Sequence, residues 1–517
     1  MKILTASQIR EADTATMQHE PIASIDLMER ASRQFTRRFV QQFPERNCLI
    51  YVFCGLGNNG GDGLAIARML LAQQYDVSIY IVGSGTGSDD FEVNRKRLAG
   101  VPRTGASRAG VPWVHHIEKQ LQLPQLSTSG IIVDALFGSG LNRGLEGLYA
   151  KVVQLINAND YTVVAVDIPS GLYADQPVGK KDVVIQADFT YSFQLPYLAF
   201  LLPRNEIYVG EWAAVDIGLN DDFLRQAPTP YYYLTHNWVR SLHRKRKRHS
   251  HKGNYGRALI ISGSHGKMGA AVLCSRACAR GGVGLLTVHV PYAGYEIMQT
   301  TVPEAMVTVD PLSEHISYLP EEDTIPIEDY DAIGIGPGLG TKASTAEAVQ
   351  SVLKEAKRWN LRLVLDADAL NICGQYRDWL NLLPKNTILT PHPKEFERLT
   401  EKAQNDFHRL ELLKGFCKKY QVYVILKGAH TAISTPEGVI YFNSTGNPGM
   451  ATGGSGDVLT GVLTALVAQG YDSLSASLLG VHLHGLAGDL AAEKLSRESL
   501  IASDIVEHLG RAFATLY

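Results

Sequence analysis

Near the C-terminal end, Gly446-Asn447-Pro448-Gly449-Met450-Ala451-Thr452-Gly453-Gly454-Ser455-Gly456-Asp457 runs straight into an apolar helical stretch, VLTGVLTALVAQG. A glycine-rich turn at a helix start gathers backbone N–H groups around an anion, and an acid in the first turn stands within reach of an acceptor hydroxyl. The pattern suits phosphoryl transfer, with Asp457 as general base. An aspartate before a helix can act as an N-cap alone, but a cap does not call for so many flanking glycines. Three more glycine-rich segments follow apolar runs in the first half: Gly55-Leu56-Gly57-Asn58-Asn59-Gly60-Gly61-Asp62-Gly63, Asp134-Ala135-Leu136-Phe137-Gly138-Ser139-Gly140-Leu141-Asn142-Arg143-Gly144 and Asp167-Ile168-Pro169-Ser170-Gly171. The first reads as a strand, a phosphate-binding turn and a helix. Its spacing is neither GxGxxG followed by a ribose-binding acid nor GxxxxGK[ST], which argues against a plain dehydrogenase or a P-loop enzyme.

Such segments need elements that bring them together. Apolar, β-rich runs alternate with helical patterns throughout: LIYVFCG, VSIYIVG, IIVDALFG and TVVAVDIPSG, then RALIISGS, AIGIGPG, LRLVLDAD and VYVILKG. That alternation predicts parallel sheets covered by helices on both faces. The carboxyl ends of parallel strands converge on one crevice, so the three N-terminal loops should line a single pocket. The fold class is α/β: a Rossmann-like three-layer αβα domain over residues 1–220, a linker over 221–250, and a second α/β domain over 235–517. The halves share no motif, so they are unlike domains and not a duplication.

Composition agrees. A chain of 517 residues with 45% hydrophobic and 20% charged residues can bury large cores. The net charge of −3 gives no global bias toward nucleic acid. The basic run His243-Arg244-Lys245-Arg246-Lys247-Arg248-His249 reads better as a solvated connector than as an RNA or membrane patch. The six cysteines (Cys48, Cys54, Cys274, Cys278, Cys373, Cys417) are scattered and read as reduced core thiols. With no CxxC pair or HxxxH-type cluster, a structural zinc is not expected. The opening MKILTASQIREADTATMQ has neither signal- nor transit-peptide character, and no apolar run is long enough to span a bilayer, so the expected location is the cytoplasm.

The motifs NNGGDG, DALFGSGL and VDIPSG, with the opening LTASQIREAD and LMERA, resemble the NAD(P)H-hydrate epimerase family over nearly all of residues 1–219. That family interconverts the R and S forms of NADHX and NADPHX, cofactors whose nicotinamide ring has taken up water. The resemblance implies that Asn58, Asn59, Gly60, Gly61 and Asp62, with Gly138, Ser139, Gly140, Leu141, Asn142, Arg143 and Gly144, contact the substrate's phosphates and sugar. It places Asp167 at the reacting ring, as a catalytic residue, and assigns Asn59, Asp134 and Ser170 to a potassium ion. One position departs from the pattern: after ADFTYSF the family carries a lysine, where this chain has Tyr197. A phenol, with an ordinary pKa of about 10, is a poorer proton-transfer partner at neutral pH. Two readings therefore stand for this half, an epimerase or a domain that binds ligand without turnover.

In the second half, Gly334-Ile335-Gly336-Pro337-Gly338-Leu339-Gly340, Asp366-Ala367-Asp368-Ala369-Leu370, Thr390-Pro391-His392-Pro393-Lys394-Glu395 and Lys427-Gly428-Ala429-His430-Thr431 join KGNYGRALIISGS and GGSGD. Together they resemble the ADP-dependent NAD(P)H-hydrate dehydratase family, whose fold is ribokinase-like. The resemblance implies that Ala271, Gly338, His392 and Asp457 contact the hydrated cofactor. Lys427, Gly428, Ala429, His430, Thr431 and Gly456 would hold the adenine nucleotide, with ADP as phosphoryl donor, Mg2+ beside it, and AMP and phosphate as products. Glu395 would join the polar network of its loop and could help order magnesium, while Asp366 and Asp368 would shape their turn or reach the substrate. The implied partners are small molecules, not nucleic acid or membrane, and a homo-oligomer is implied. The same fold hosts small-molecule kinases, so a kinase releasing a stable phosphorylated product is the alternative.

Overall fold

The computed structural model describes residues 1–100, 113–124, 126, 130–318 and 326–517. It divides into two compact units, Lys2–Thr229 and Pro230–Tyr517 with Met1. In the first, strands β1 (Leu49–Cys54), β2 (Asp76–Val82), β3 (Val114–Ile117), β4 (Ile131–Ala135), β5 (Thr162–Val166), β6 (Phe189–Phe193) and β7 (Glu211–Val215) form one sheet. Their order is β3-β2-β1-β4-β5-β6-β7, and every pairing is parallel. Successive side chains of β1 enter opposite faces: Ile50, Val52 and Cys54 join one core, Tyr51 and Phe53 another. A strand buried on both faces has no polar side to show, which is why its sequence is continuously apolar.

The second unit contains β8 (Tyr231–Tyr233), β9 (Arg257–Ile261), β10 (Leu285–Pro291), β11 (Met306–Asp310), β12 (Ala332–Ile335), β13 (Leu363–Leu365), β14 (Ile388–Leu389), β15 (Tyr423–Leu426), β16 (Ala432–Ser434) and β17 (Ile440–Phe442). They form one ten-stranded sheet in the order β11-β10-β9-β12-β13-β14-β15-β16-β17-β8. The sheet departs from the all-parallel expectation at one edge, where β16 runs antiparallel to both β15 and β17. Two short connections, after Leu426 and after Ser434, allow this, because antiparallel neighbours need no crossover helix.

The stretch 221–250, expected as a linker, is built into the units. Residues Asp221–Gln226 form a helix at the end of the first, and β8 pairs with β17 in the second. The basic run lies on the second unit: the Arg244 guanidinium sits 4.6 Å from the centre of the Tyr471 ring and that of Arg246 sits 3.9 Å from the Tyr255 ring. All six cysteines are free and five are buried. Among the described residues no helix is long and apolar enough to cross a membrane.

Strand order reverses inside both sheets, between β1 and β4 and between β9 and β12. The chain leaves neighbouring strands in opposite directions there, which opens a crevice at their carboxyl ends. Glycine is required where these ends crowd. A Cβ on Gly55 would sit 2.0 Å from the Leu136 carbonyl oxygen, and one on Gly336, whose φ is 134°, would sit 1.9 Å from the Asp366 carbonyl oxygen. Gly336→Ala is expected to destabilise the second unit by about 3 kcal/mol. Gly510→Ala, in the helix Ala502–Ala514 with open space around it, should instead stabilise it by about 0.5–1 kcal/mol. Thermal unfolding of the two variants should therefore move the same transition in opposite directions.

Candidate functional site

The first unit holds a cavity of about 570 Å³ at the strand ends flanking its reversal point. Of the residues expected there, Asn58, Asn59, Asp62, Gly138, Ser139, Gly140, Leu141, Asn142, Arg143 and Asp167 line it. Gly60, Gly61 and Gly144 do not: they pack behind the wall against Gly55, Met28 and Asp182 respectively. Residues 58–62 form the first turn of the helix Asn58–Ala72, whose N-cap Gly57 supplies no side-chain cap. The leading N–H groups of such a helix lack intrahelical partners and face an anion favourably.

Asp167 follows β5 in a left-handed conformation, φ 66°, unusual outside glycine. Its N–H donates to the Tyr191 carbonyl at 2.9 Å, which holds the turn. The carboxylate accepts the Phe193 N–H at 3.3 Å and the Tyr197 hydroxyl at 3.1 and 3.2 Å. Burial nevertheless dominates and lifts its pKa to about 6. Tyr197 is 1% exposed, and burial followed by the Asp167 charge pushes its phenol well above 10. The phenol is thus a fixed donor.

Two charged residues of the cavity wall, Arg10 and Asp13, escaped the sequence reading. They lie on the helix Ala6–His19, where Ile9, Asp13 and Met17 repeat every fourth residue along the face that lines the cavity. That spacing was visible in LTASQIREAD, but helical periodicity alone does not say what a face covers. Burial, and then the charge of Asp167, raises Asp13 to about 7.

Asp134 and Ser170, expected as potassium ligands, meet beneath the cavity. Ser170 Oγ donates to Asp134 Oδ1 at 2.7 Å, and the Ser170 N–H donates to Oδ2 at 2.8 Å. Asn59, 9% exposed, keeps a buried side-chain nitrogen without a partner.

In the second unit the helix Ser455–Ala468 opens on the glycine-rich turn, with Gly454 as N-cap at φ 94° and Asp457 in its first turn. The long helix Ser473–Leu495 holds that turn in place. Asp489 accepts the Gly446 N–H and the Asn447 side-chain amide, both at 2.9 Å, and His484 Nε2 lies 2.9 Å from the Ser455 carbonyl. Burial drops the His484 pKa to about 4, so the ring is neutral and Nε2–H is the donor toward that carbonyl. His484 and Asp489 were not read from the sequence.

Asp366, 1% exposed, is satisfied by the Lys427 ammonium at 2.8 Å and the Thr460 hydroxyl at 2.8 Å. This pair sets Lys427 Nζ only 3.2 Å from where a Cβ on Gly456 would lie, so glycine at 456 leaves room for the ammonium beside the turn. Lys427 therefore belongs with the glycine-rich turn. The rest of its expected set, Gly428 to Thr431, closes a separate turn in which the Thr431 hydroxyl bonds the Gly428 carbonyl at 3.0 Å. Asp457 accepts no hydrogen bond among the described residues. Burial, then the Asp366 and Asp368 charges, raises it to about 7 against the pull of Lys427.

His392 and Glu395 form a capping box: the His392 N–H donates to Glu395 Oε2 at 2.8 Å, and His392 Nδ1 accepts the Lys394 N–H at 3.1 Å. His392 Nε2 lies 3.4 Å from Glu395 Oε1, and burial lowers the His392 pKa. Asp368 accepts the Gly340 N–H at 2.8 Å and faces Lys267 at 3.5 Å. Gly338 lies over the start of the helix Met268–Arg280, its would-be Cβ 2.9 Å from the Lys267 carbonyl oxygen. Ala271, expected to touch substrate, is 0% exposed and packs under Gly263, so it supports the loop instead of facing a ligand.

The Asp457 value sets a stability test. The folded state holds this proton more tightly than the unfolded chain, whose ordinary value is 3.8. Its contribution to stability is thus full below about pH 4, lost as pH rises through 7, and flat above. Asp457→Asn escapes that loss, so it should match the parent at pH 4 and exceed it at pH 8 by on the order of 2–4 kcal/mol. Urea unfolding of the second unit at the two pH values reads this directly.

Comparison with known proteins adds an independent line. A family model described as NAD(P)H-hydrate dehydratase matches residues 258–511, and one described as YjeF-related protein N-terminus matches residues 24–199. The bifunctional NAD(P)H-hydrate repair enzyme Nnr of Moorella thermoacetica is 34% identical over 98% of this chain and 96% of its own length. That of Thermofilum pendens is also 34% identical, over 100% of this chain and 97% of its own. A crystal structure of the ADP/ATP-dependent NAD(P)H-hydrate dehydratase from Bacillus subtilis, co-crystallised with ATP/Mg2+, is 31% identical and covers 55% of this chain and 99% of its own, with a TM-score of 0.47.

Proposed function

The chain belongs to the family of bifunctional NAD(P)H-hydrate repair enzymes, and from that premise we propose that its second unit dehydrates S-NAD(P)HX with ADP while its first exchanges the R and S forms. The observation that carries the dehydratase reading is Asp457: a carboxyl near neutral pKa, without a hydrogen-bond partner, in the first turn of an uncapped helix beside the Lys427 ammonium.

A ring hydroxyl is a poor leaving group. Asp457 takes its proton as the oxygen attacks the terminal phosphoryl of ADP, and AMP departs. The helix N–H groups and Lys427 face the charge that develops on the phosphoryl oxygens. The ring nitrogen lone pair then expels phosphate, and loss of a proton from the neighbouring ring carbon restores NADH or NADPH. The raised pKa of Asp457 matches this work, since a base is most effective when its pKa lies near the operating pH. Asp366, Asp368 and Glu395 are committed to Lys427, Thr460, Gly340 and His392. Magnesium held by the nucleotide's phosphates would neutralise their charge, in keeping with its preference for few carboxylates and several phosphate or water oxygens.

In the first unit, Asp167 faces the hydrated ring and the turn of residues 58–62 faces the phosphates. Asp134, Ser170 and Asn59 would supply hard oxygen donors of the kind that suits potassium, an ion that would neutralise the buried Asp134 carboxylate. Feeding R epimer to S in one chain lets the second unit consume both.

Mixed R- and S-NADHX supplied with ADP and Mg2+ should return NADH in two phases, the S fraction quickly and the R fraction faster than spontaneous epimerisation. Asp457→Asn should slow both phases by about 10²–10⁴-fold. Recovery of S alone would favour a ligand-binding first unit, and accumulation of a stable phosphorylated alcohol would favour a kinase. Replacing potassium with sodium should slow only the R phase.

A further inference from the structure

Exchange of the two epimers needs more proton handling than Asp167 provides. The hydroxyl sits on the ring carbon bonded to nitrogen, so the hydrate is a hemiaminal. Inversion proceeds by opening: the O–H proton leaves, the C–N bond breaks, C=O forms and the nitrogen takes a proton. Rotation presents the other face of the aldehyde. Nitrogen then gives up its proton and attacks carbon, and the oxygen is reprotonated on the side opposite to where it began. No oxidant or further reactant is involved. A group that deprotonates the oxygen on one side of the ring is badly placed to reprotonate it on the other, so two proton-exchanging groups from different walls are called for.

Tyr197 cannot be the second, because its hydroxyl is spent on Asp167 and stays protonated. Asp62 is partnered, its Oδ1 accepting the Ser32 hydroxyl at 3.1 Å. Asp13 is different. It lines the same cavity as Asp167 from the helix Ala6–His19, while Asp167 comes from the end of β5. Its carboxyl makes no hydrogen bond or ion pair among the described residues. The Asp167 charge reaches Asp13 within the cavity that both of them line.

Resting on the epimerase reading above, we propose that Asp13 is the second catalytic residue of that reaction, sharing one mobile proton with Asp167 so that each carboxyl serves one face of the hydrated ring. The two groups lie at about 7 and about 6, so the pair holds a single proton chiefly between those two values. Arg10, Asp62, Arg143 and Tyr197 face the same cavity and complete the set of titratable groups around it.

The experiment uses the full chain with R-NADHX, ADP and Mg2+, following NADH, with S-NADHX as reference for the second unit. Asp13→Asn should cut kcat for R by at least 100-fold with KM changed less than threefold, and leave the S rate as it was. Its pH profile should lose the limb near 7 and keep the one near 6, a change that damage to the fold would not produce. Asp13→Glu should restore part of the rate. Thermal unfolding and NADPH affinity of Asp13→Asn equal to the parent's should accompany the loss. An Asp13→Asn protein retaining more than a third of the parent's R rate, or both limbs of its profile, overturns the assignment of Asp13 and leaves the epimerase reading intact. A parent chain that consumes R no faster than it epimerises spontaneously overturns both.

Discussion

A carboxyl taken out of water at the end of a strand costs several kcal/mol unless hydrogen bonds or an opposite charge replace its hydration. Both halves of this chain bury carboxyls close to their strand ends, and they meet that cost in different ways. Asp134 and Asp366 are almost wholly buried and supplied with donors: the Ser170 hydroxyl with the Ser170 and Leu136 N–H groups for one, the Lys427 ammonium and the Thr460 hydroxyl for the other. Burial still wins at Asp167, which accepts the Phe193 N–H and the Tyr197 hydroxyl, and at Asp457, which accepts no hydrogen bond among the described residues: their pKa values rise to about 6 and 7, and that of Asp134 to about 6 as well. The donors fix the geometry around Asp134 and Asp366, while burial raises the proton affinity of Asp167 and Asp457 toward the neutral range in which a carboxyl both takes up and releases a proton. Removing Asp366 would free both Lys427 and Thr460, so the chemistry at Asp457 depends on an acid that never reacts.

The sheet explains why such pairs occur where they do. Reversal of strand order leaves two neighbouring strand ends uncovered by a crossover, and loops from both must share the space. The crowding is severe enough that Gly55 and Gly336 have no room for a methyl group. With side chains excluded at the crossing, polar backbone and short acids can approach a ligand closely. The two halves reach this arrangement with unrelated sequences and different sheets, one wholly parallel and one ending in an antiparallel edge.

Much of this could be read from the residues. The strands that precede the catalytic loops are buried on both faces, so their runs are continuously apolar and stand out. The short strands Ala432–Ser434 and Ile440–Phe442 give no such signal, since three residues do not establish a period. Loop motifs announced Asp167 and Asp457, because glycine clusters are local in sequence. Contacts made across the fold were not announced: the Asp366–Lys427 pair spans 61 residues, Asp13 reaches the cavity from a helix far upstream of Asp167, and His484 braces the phosphoryl turn from another helix. Ala271 and Gly144 show the opposite error, where a motif places a residue near the site but its side of the chain faces the core or another loop.

The tyrosine at position 197 changes the first site's electrostatics as well as its proton chemistry. A lysine there would bring a full positive charge against Asp167 and hold that carboxylate ionised, as opposite charges at short range do. A phenol brings a hydrogen bond and no charge, so the three carboxyls Asp13, Asp62 and Asp167 repel one another without relief from that direction. Repulsion and burial act together, and both favour retaining protons. With a phenol at 197 the site holds a cluster of acids whose proton affinity is raised, and the proposed chemistry, which moves one proton out and one proton back, would draw on such a store.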